Sequence, residues 1–366
     1  MCFRHLPIEF DAEGRATLRG SWDDAREPRR DTAPSEPPTG PGLRTFDIAP
    51  VTRVAGAMDF HATVDLASRR IVDARASAAA FRGYEVVLRS RDPREAMDLS
   101  SRACGVCGGV HASTSSMALD MALPVAPPPL GTLARNIAQA AEFLYDHPLH
   151  MCLLAGPDYS ESVVRRTDPG LWAEAETTSA PGAAVHGRKT IGEVMSSLNP
   201  LTGSLYLETF ARTRIPMQIV QTIVGEYPHP KTLVPGGVSV LLDSGKFHAV
   251  QASLHSVVDY FKQLIHVYVD LMTFLRQRRP AYEHVGERRM NLLSFGRYDD
   301  TEIYDGQFET MDRWGGARTI PPGAVIDGEV RTTDLTAINL GIEEFVDHAF
   351  YERWSGKEHP TDPAGR

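Results

Sequence analysis

Between Phe247 and Arg278 apolar residues recur at helical spacing, and this run constrains the fold more than any other stretch. Val250, Leu254, Val257, Val258, Phe261, Leu264, Ile265, Tyr268, Leu271, Met272 and Leu275 fall on one side of a helix. Arg279-Pro280 stops it, because proline brings no N–H and clashes with the preceding turn. A helix of this length cannot leave that side in water, so plain core packing is the expectation.

The core it needs is available. The chain has 366 residues, 42% apolar and 23% charged, enough for two or three domains' worth of globular structure without disulfide staples. A net charge of −9 argues against a nucleic-acid surface, which would show a basic stripe. The N-terminus lacks the apolar run of a secretory signal. The most apolar long segment, Val257 to Leu275, is interrupted by Asp259, Lys262 and Asp270, so no direct membrane span is expected.

Residues 15–43 are rich in Arg, Asp, Pro and Gly and read as a flexible leader, giving a division into 1–43 and 44–366. The run AGAMDFHATVDLASRRIVDARASAAAF reads as a β-hairpin turning at Ser68–Arg70. A helix is expected from Gly83 into the arginine-rich stretch, and another over 101–123, entered through a cysteine loop. Leu133, Ile137, Ala140, Ala141 and Leu144 mark a helix that Pro148 should kink or divide. In VIDGEV, Asp327-Gly328 reads as a hairpin turn.

The chemistry centres on Arg102-Ala-Cys104-Gly-Val-Cys107-Gly-Gly-Val-His111. Two thiolates three residues apart can grip one metal from a single turn, and sulfur favours soft or borderline metals. Gly105, Gly108 and Gly109 would let the backbone pass close to an ion and adopt positive φ. His111, four residues past Cys107, would lie one helical turn on. Taken alone, the pair is equally a redox disulfide, half of a zinc site, or two buried thiols. The other cysteines, Cys2 and Cys152, form no second pair.

The surrounding sequence resembles the nickel–iron hydrogenase large subunits. FRGYE (81–85) matches an FRGxE box, and Ser90-Arg-Asp-Pro matches a GRDPxxA box with serine in the glycine's place. RACGVCGGVH matches RxCGxCxxxH, and Pro50-Val-Thr-Arg-Val-Ala-Gly56 resembles PVTRIEG. His150–Asp158 and the run Tyr227-Pro-His-Pro-Lys-Thr-Leu-Val-Pro-Gly-Gly237 follow in order. NPLTG, VPGGV and EEFVDH look most like the high-affinity, oxygen-tolerant actinobacterial-type subgroup.

This resemblance implies an α+β fold, a helical-bundle core with peripheral small β-sheets. It implies a nickel–iron centre carrying cyanide and carbon monoxide on iron, with Cys104 as a terminal nickel ligand and Cys107 as the bridging sulfur. His111 becomes a histidine behind that sulfur, Asp158 a catalytic carboxylate over the open nickel side, and Glu85 part of a magnesium site. The plain alternatives are a core histidine, a helix N-cap with an acid at its third position, and an ion pair with Arg82 or Arg89. His229 would face an iron–sulfur cluster in a partner. The implied reaction is heterolytic splitting of dihydrogen. The implied partners are an iron–sulfur small subunit and maturation proteins, in the cytoplasm or at a membrane through partners.

Two departures stand out. Ala55 replaces the glutamate of the PVTRIEG box, so a proton would need another route, through Asp59, His61 or Asp158. The second DPCxxCxxH signature is not present, which reads as a truncated or split large subunit, inactive alone and exposing apolar helix faces. The competing functions are a non-catalytic homologue with a structural role and a small redox or zinc protein using the lone CxxC.

Overall fold

The computed structural model describes residues 8–10, 16–18, 37–54, 56, 58–78, 84–88, 90–285, 287 and 290–341. Apart from its two short strands and residues 37–43, the expected leader lies outside the described residues, as do Ala55, Arg82, Arg89, the EEFVDH motif and the side chain of Glu85. In chain order the strands are β1 (Ile8–Phe10), β2 (Ala16–Leu18), β3 (Leu43–Ile48), β4 (Met58–Asp65), β5 (Arg70–Ala78), β6 (Leu233–Val234), β7 (Gly237–Val238), β8 (Leu292–Ser294), β9 (Gly323–Ile326) and β10 (Glu329–Thr332). The helices are α1 (Tyr84–Val87), α2 (Ala96–Ser101), α3 (Gly108–Ala122), α4 (Pro129–Pro148), α5 (Glu161–Thr167), α6 (Pro169–Thr177) and α7 (Ala183–His186). They continue as α8 (Ile191–Ser197), α9 (Ser204–Arg212), α10 (Arg214–Val224), α11 (Ser244–Arg278), α12 (Met311–Gly316) and α13 (Leu335–Leu340). This is an α+β architecture of helices with small sheets. Among the described residues no helix is long and apolar enough to cross a membrane.

Two compact units divide the chain, one of 1–99, 119–126 and 290–366, the other of 100–118 and 127–289. The first holds the sheets β3-β4-β5 and β8-β9-β10, both antiparallel. The β4–β5 hairpin is the expected one. Its turn is held by Asp65, whose carboxylate accepts from the Ala67 N–H at 2.9 Å and the Ser68 hydroxyl at 2.7 Å. The β9–β10 turn is also as expected, with Asp327 and Gly328 both left-handed (φ 52° and 83°), as a two-residue hairpin requires. The helix expected from Gly83 is instead broken into α1, a 3-10 turn at Pro93–Glu95 and α2. Pro93 cannot continue a helix from the residue before it, and Asp92 caps the new start by accepting from the Arg94 N–H at 2.9 Å.

The second unit contains α3 up to Ala118 and α4 to α11. One core cluster gathers Leu171, Trp172, Ile191, Val194, Met195, Leu198 and Leu205 with Tyr260, Leu264, Val267, Leu271, Phe274 and Leu275 of α11. The other joins Ala112 of α3, Ala134, Ala138 and Ala141 of α4, and Ile219, Val220, Ile223 and Val224 of α10 to Val250 of α11. α11 thus runs past both clusters, which is why so long a helix is stable. Asp243 caps its start, accepting from the Lys246 N–H at 2.9 Å. At its end Arg279 grips Asp168 with two hydrogen bonds of 2.8 and 3.0 Å, and Asp168 also caps α6.

The apolar side of α11 is only partly core, contrary to the expectation. Leu254, Val258 and Ile265 are exposed, as is Val269, because packing along one side covers only part of a helix's circumference.

The expected helix is α4, although its burial does not follow the apolar stripe that marked it. Leu133 is exposed and, of the expected stripe, Ala141 alone is buried; the buried face instead carries Arg135, Gln139, Glu142 and Tyr145. Pro148 divides the helix as expected, and Leu149–Ala155 continues as a π-helical stretch.

Candidate metal centre

The cysteine turn is built by two helix ends. The Ala103 N–H donates to Ser100 O at 3.0 Å as α2 closes, and the chain then turns through Cys104 to enter α3 directly after Cys107. Inside the turn the N–H groups of Val106 and Cys107 both point at Cys104 Sγ, at 3.4 and 3.1 Å. Cys107 sits at the N-terminus of a 15-residue helix, its carbonyl accepting from the His111 N–H at 3.3 Å. N–H donors and the positive end of a helix both favour thiolate over thiol. The two sulfurs meet, joined as a disulfide, with the Cα atoms 5.3 Å apart. Reduced, they present two sulfurs on one turn, half-buried and aimed together.

The glycines serve a different purpose from the one expected. Gly105, Gly108 and Gly109 all avoid positive φ. Gly108 and Gly109 are required for space. A Cβ at Gly108 would strike the Pro228 carbonyl and lie 2.8 Å from His229 Nδ1; one at Gly109 would coincide with Glu142 Oε1. A loop and a carboxylate therefore press directly on the first turn of α3.

That loop is the Tyr227–Gly237 run, and each of its marked residues has a contact. The Tyr227 hydroxyl donates to Val106 O at 2.9 Å, and its ring stands edge-on to Tyr145 with centroids 5.3 Å apart. Burial, then Tyr145 and the carboxylates of Glu142 and Asp146, push the Tyr227 hydroxyl far up, so it remains a donor. Buried Arg135 donates to Val234 O and Ser116 Oγ, both at 2.6 Å, and to Gly237 O at 3.3 Å. Gly237 meets Gly131 so closely that a Cβ on Gly131 would lie 3.1 Å from its Cα. His229 Nδ1 is buried and has no hydrogen-bond partner among the described residues.

The remaining expected site residues are more dispersed. His111 lies one turn beyond Cys107, as the spacing predicts, with its side chain exposed. Asp158 is exposed on a 3-10 turn, Gly156–Tyr159, which follows the π-helical stretch. It does not cap α5; Ser160 occupies that position. Cys152 is fully buried against Thr209, Tyr260 and Tyr268, and burial pushes its thiol up to about 11. Asp59 and His61 lie on β4 in the first unit, where His61 Nδ1 is 2.7 Å from Asp47. Sequence reasoning missed Glu142, Arg135 and Tyr227 as individual contributors. The signal for them was the interruption of the α4 apolar pattern by polar residues.

A family model for nickel-dependent hydrogenase matches residues 82–199 and 189–365. The chain belongs to the nickel-dependent hydrogenases. This hydrogenase chain is similar to the periplasmic [NiFeSe] hydrogenase large subunit of Desulfomicrobium baculatum, 29% identical over 86% of this chain and 56% of that protein. It is also similar to the hydrogenase-1 large chain of Citrobacter freundii, at 27% over 88% and 58%. Among solved structures, the actinobacterial-type NiFe-hydrogenase from Ralstonia eutropha H16 superposes with TM-score 0.78 and 37% identity, covering 81% of this chain and 53% of that one. The chain thus spans little more than half the length of the relatives it matches. Among its described residues no group of three or more His, Cys, Asp or Glu side chains is placed to hold a metal ion.

Proposed function

We propose that this chain is the catalytic large subunit of a nickel–iron hydrogenase oxidising dihydrogen to protons and electrons. The observation that carries the reading is the turn in which two N–H groups point at Cys104 Sγ while Cys107 heads α3. Soft sulfurs with thiolate-favouring surroundings suit nickel and iron. Cys104 and Cys107 would hold one side of the centre, and two further sulfurs would come from outside the described residues. When bound, the metals with their cyanide and carbon monoxide supply the polarisation that splits dihydrogen.

What the chain's own residues do follows from the contacts. Tyr227, Arg135 and the glycine pair hold the cysteine turn rigid, so the sulfurs are set before a metal arrives. Asp158 and His111 are the proposed acid–base and hydrogen-bonding groups, and Glu85 the proposed magnesium carboxylate. Four cysteines are too few for a metal centre and electron-carrying clusters together, which supports an iron–sulfur small subunit as partner, with His229 toward it.

Metal analysis with infrared spectroscopy of the chain purified with its partners is the test. Nickel and iron in equal amounts, with cyanide and carbon monoxide stretches, is the expected result. The sulfur contact favours a dithiol–disulfide redox protein as the second reading, and zinc or no metal with reversible thiol oxidation would select it.

A further inference from the structure

The group that these roles leave unused is Glu142. It is 5% exposed, and its carboxylate occupies the space over Gly109, in the first turn of α3 and two residues past Cys107. Around it are Ser113 of α3, Gln139 of its own helix, Val224 of α10 and Leu233 of β6. A carboxyl group enclosed beside the cysteine turn is of the chemical type that takes and returns a proton. Among the described residues, the titratable group shown to feel the Glu142 charge is Tyr227 of the loop, whose ring meets Tyr145 of the same helix as Glu142. Gly109 and Ser113 of α3 and Val220 and Val224 of α10 line the small cavity beside it. His111 and Asp158, by contrast, are exposed.

We propose that Glu142 is a proton-relay residue for the cysteine centre, a role that rests on the function proposed above. A proton set free at the cysteine turn forms an O–H bond on Glu142, and that bond breaks again as the proton passes outward; no electron moves. The cost of Gly109, which gives up a side chain to admit the carboxylate, is explained by this role.

E142Q keeps the size of the side chain and removes its titration, while E142D keeps the titration. In the complex purified with its partners, E142Q should bind nickel and iron as the parent does, with unchanged cyanide and carbon monoxide stretches. Its exchange of dihydrogen with D2O should fall about a hundredfold, the scale of a lost acid–base group, and E142D should recover part of it. Independently of turnover, a carboxylic acid C=O band that responds to pH should be present in the parent and missing in E142Q. Parent-like exchange in metal-loaded E142Q, or retention of that band, would overturn the relay and leave the proposed function standing. A parent complex without nickel and iron would overturn both. Should E142Q not accumulate, E142D decides: a shifted pH profile of exchange is expected, and an unchanged one ends the proposal.

Discussion

The Tyr227 hydroxyl donates a 2.9 Å hydrogen bond to the carbonyl of Val106, tying the interior of the cysteine turn to a loop 121 residues away. Y227F removes this bond and strands a carbonyl. Stability should drop by about 1 kcal/mol, the usual worth of one such bond. The reduced cysteine pair should also alkylate faster. An unchanged melting temperature with unchanged alkylation would mean that the turn is rigid without its tether.

Gly109 and Glu142 compete for one volume. G109A gains helix propensity, about 1 kcal/mol, but must displace a buried carboxylate, so a net loss of about 1–3 kcal/mol is expected. In an E142A background the same change should become neutral or stabilising. Urea denaturation of the four chains of this cycle measures the coupling; additive effects would show that the two positions do not interact.

Cys152 is the simplest group to titrate. Its thiol ionises near 9.0 when unfolded and is raised to about 11 by burial. Between these values the unfolded chain has lost a proton that the folded one retains, so the thiol's contribution is complete below pH 9 and lost as pH rises through 11. Two pH units correspond to about 3 kcal/mol. The parent should lose stability over that window and C152A should be flatter across it. In native buffer Cys152 should resist alkylation until the chain unfolds.

Ser90 stands where the resembling motif has glycine, and its φ of 62° is in the left-handed region. A side chain there costs roughly 1 kcal/mol, so S90G should raise stability by about that amount. Thermal denaturation that shows no gain would mean the strain is relieved locally.

Asp270 is buried on α11, its Oδ2 accepting from the Gly182 N–H at 2.7 Å and lying 3.0 Å from His186 Nε2. His186 Nδ1 in turn accepts from the Arg188 N–H at 3.1 Å, so Nε2 carries the hydrogen. D270A leaves two buried donors without a partner and should cost about 2–4 kcal/mol. Hydrogen exchange should locate the loosening at residues 180–190; a global loss without local loosening would contradict the pin.

The cysteine turn, α11 and the Asp327–Gly328 hairpin were legible because each rests on neighbours within a turn or a strand pair. α4 was legible as a helix, but which of its faces is buried was not, for a physical reason. Its large aliphatic positions Leu130 and Leu133 are exposed, while Ala134, Ala138 and Ala141 share the buried face with polar residues that meet the glycine face of α3 and the carbonyls of the Tyr227–Gly237 loop. Hydrophobic periodicity cannot register a face that is buried through hydrogen bonds. The sequence alone therefore determined the local elements, the thiol pair and, by its motifs, the family. Only the tertiary structure decided why Gly108 and Gly109 are glycine, what Arg135 and Tyr227 hold, and where Glu142 lies. Those contacts join segments remote along the chain, and steric exclusion between them has no trace in local spacing.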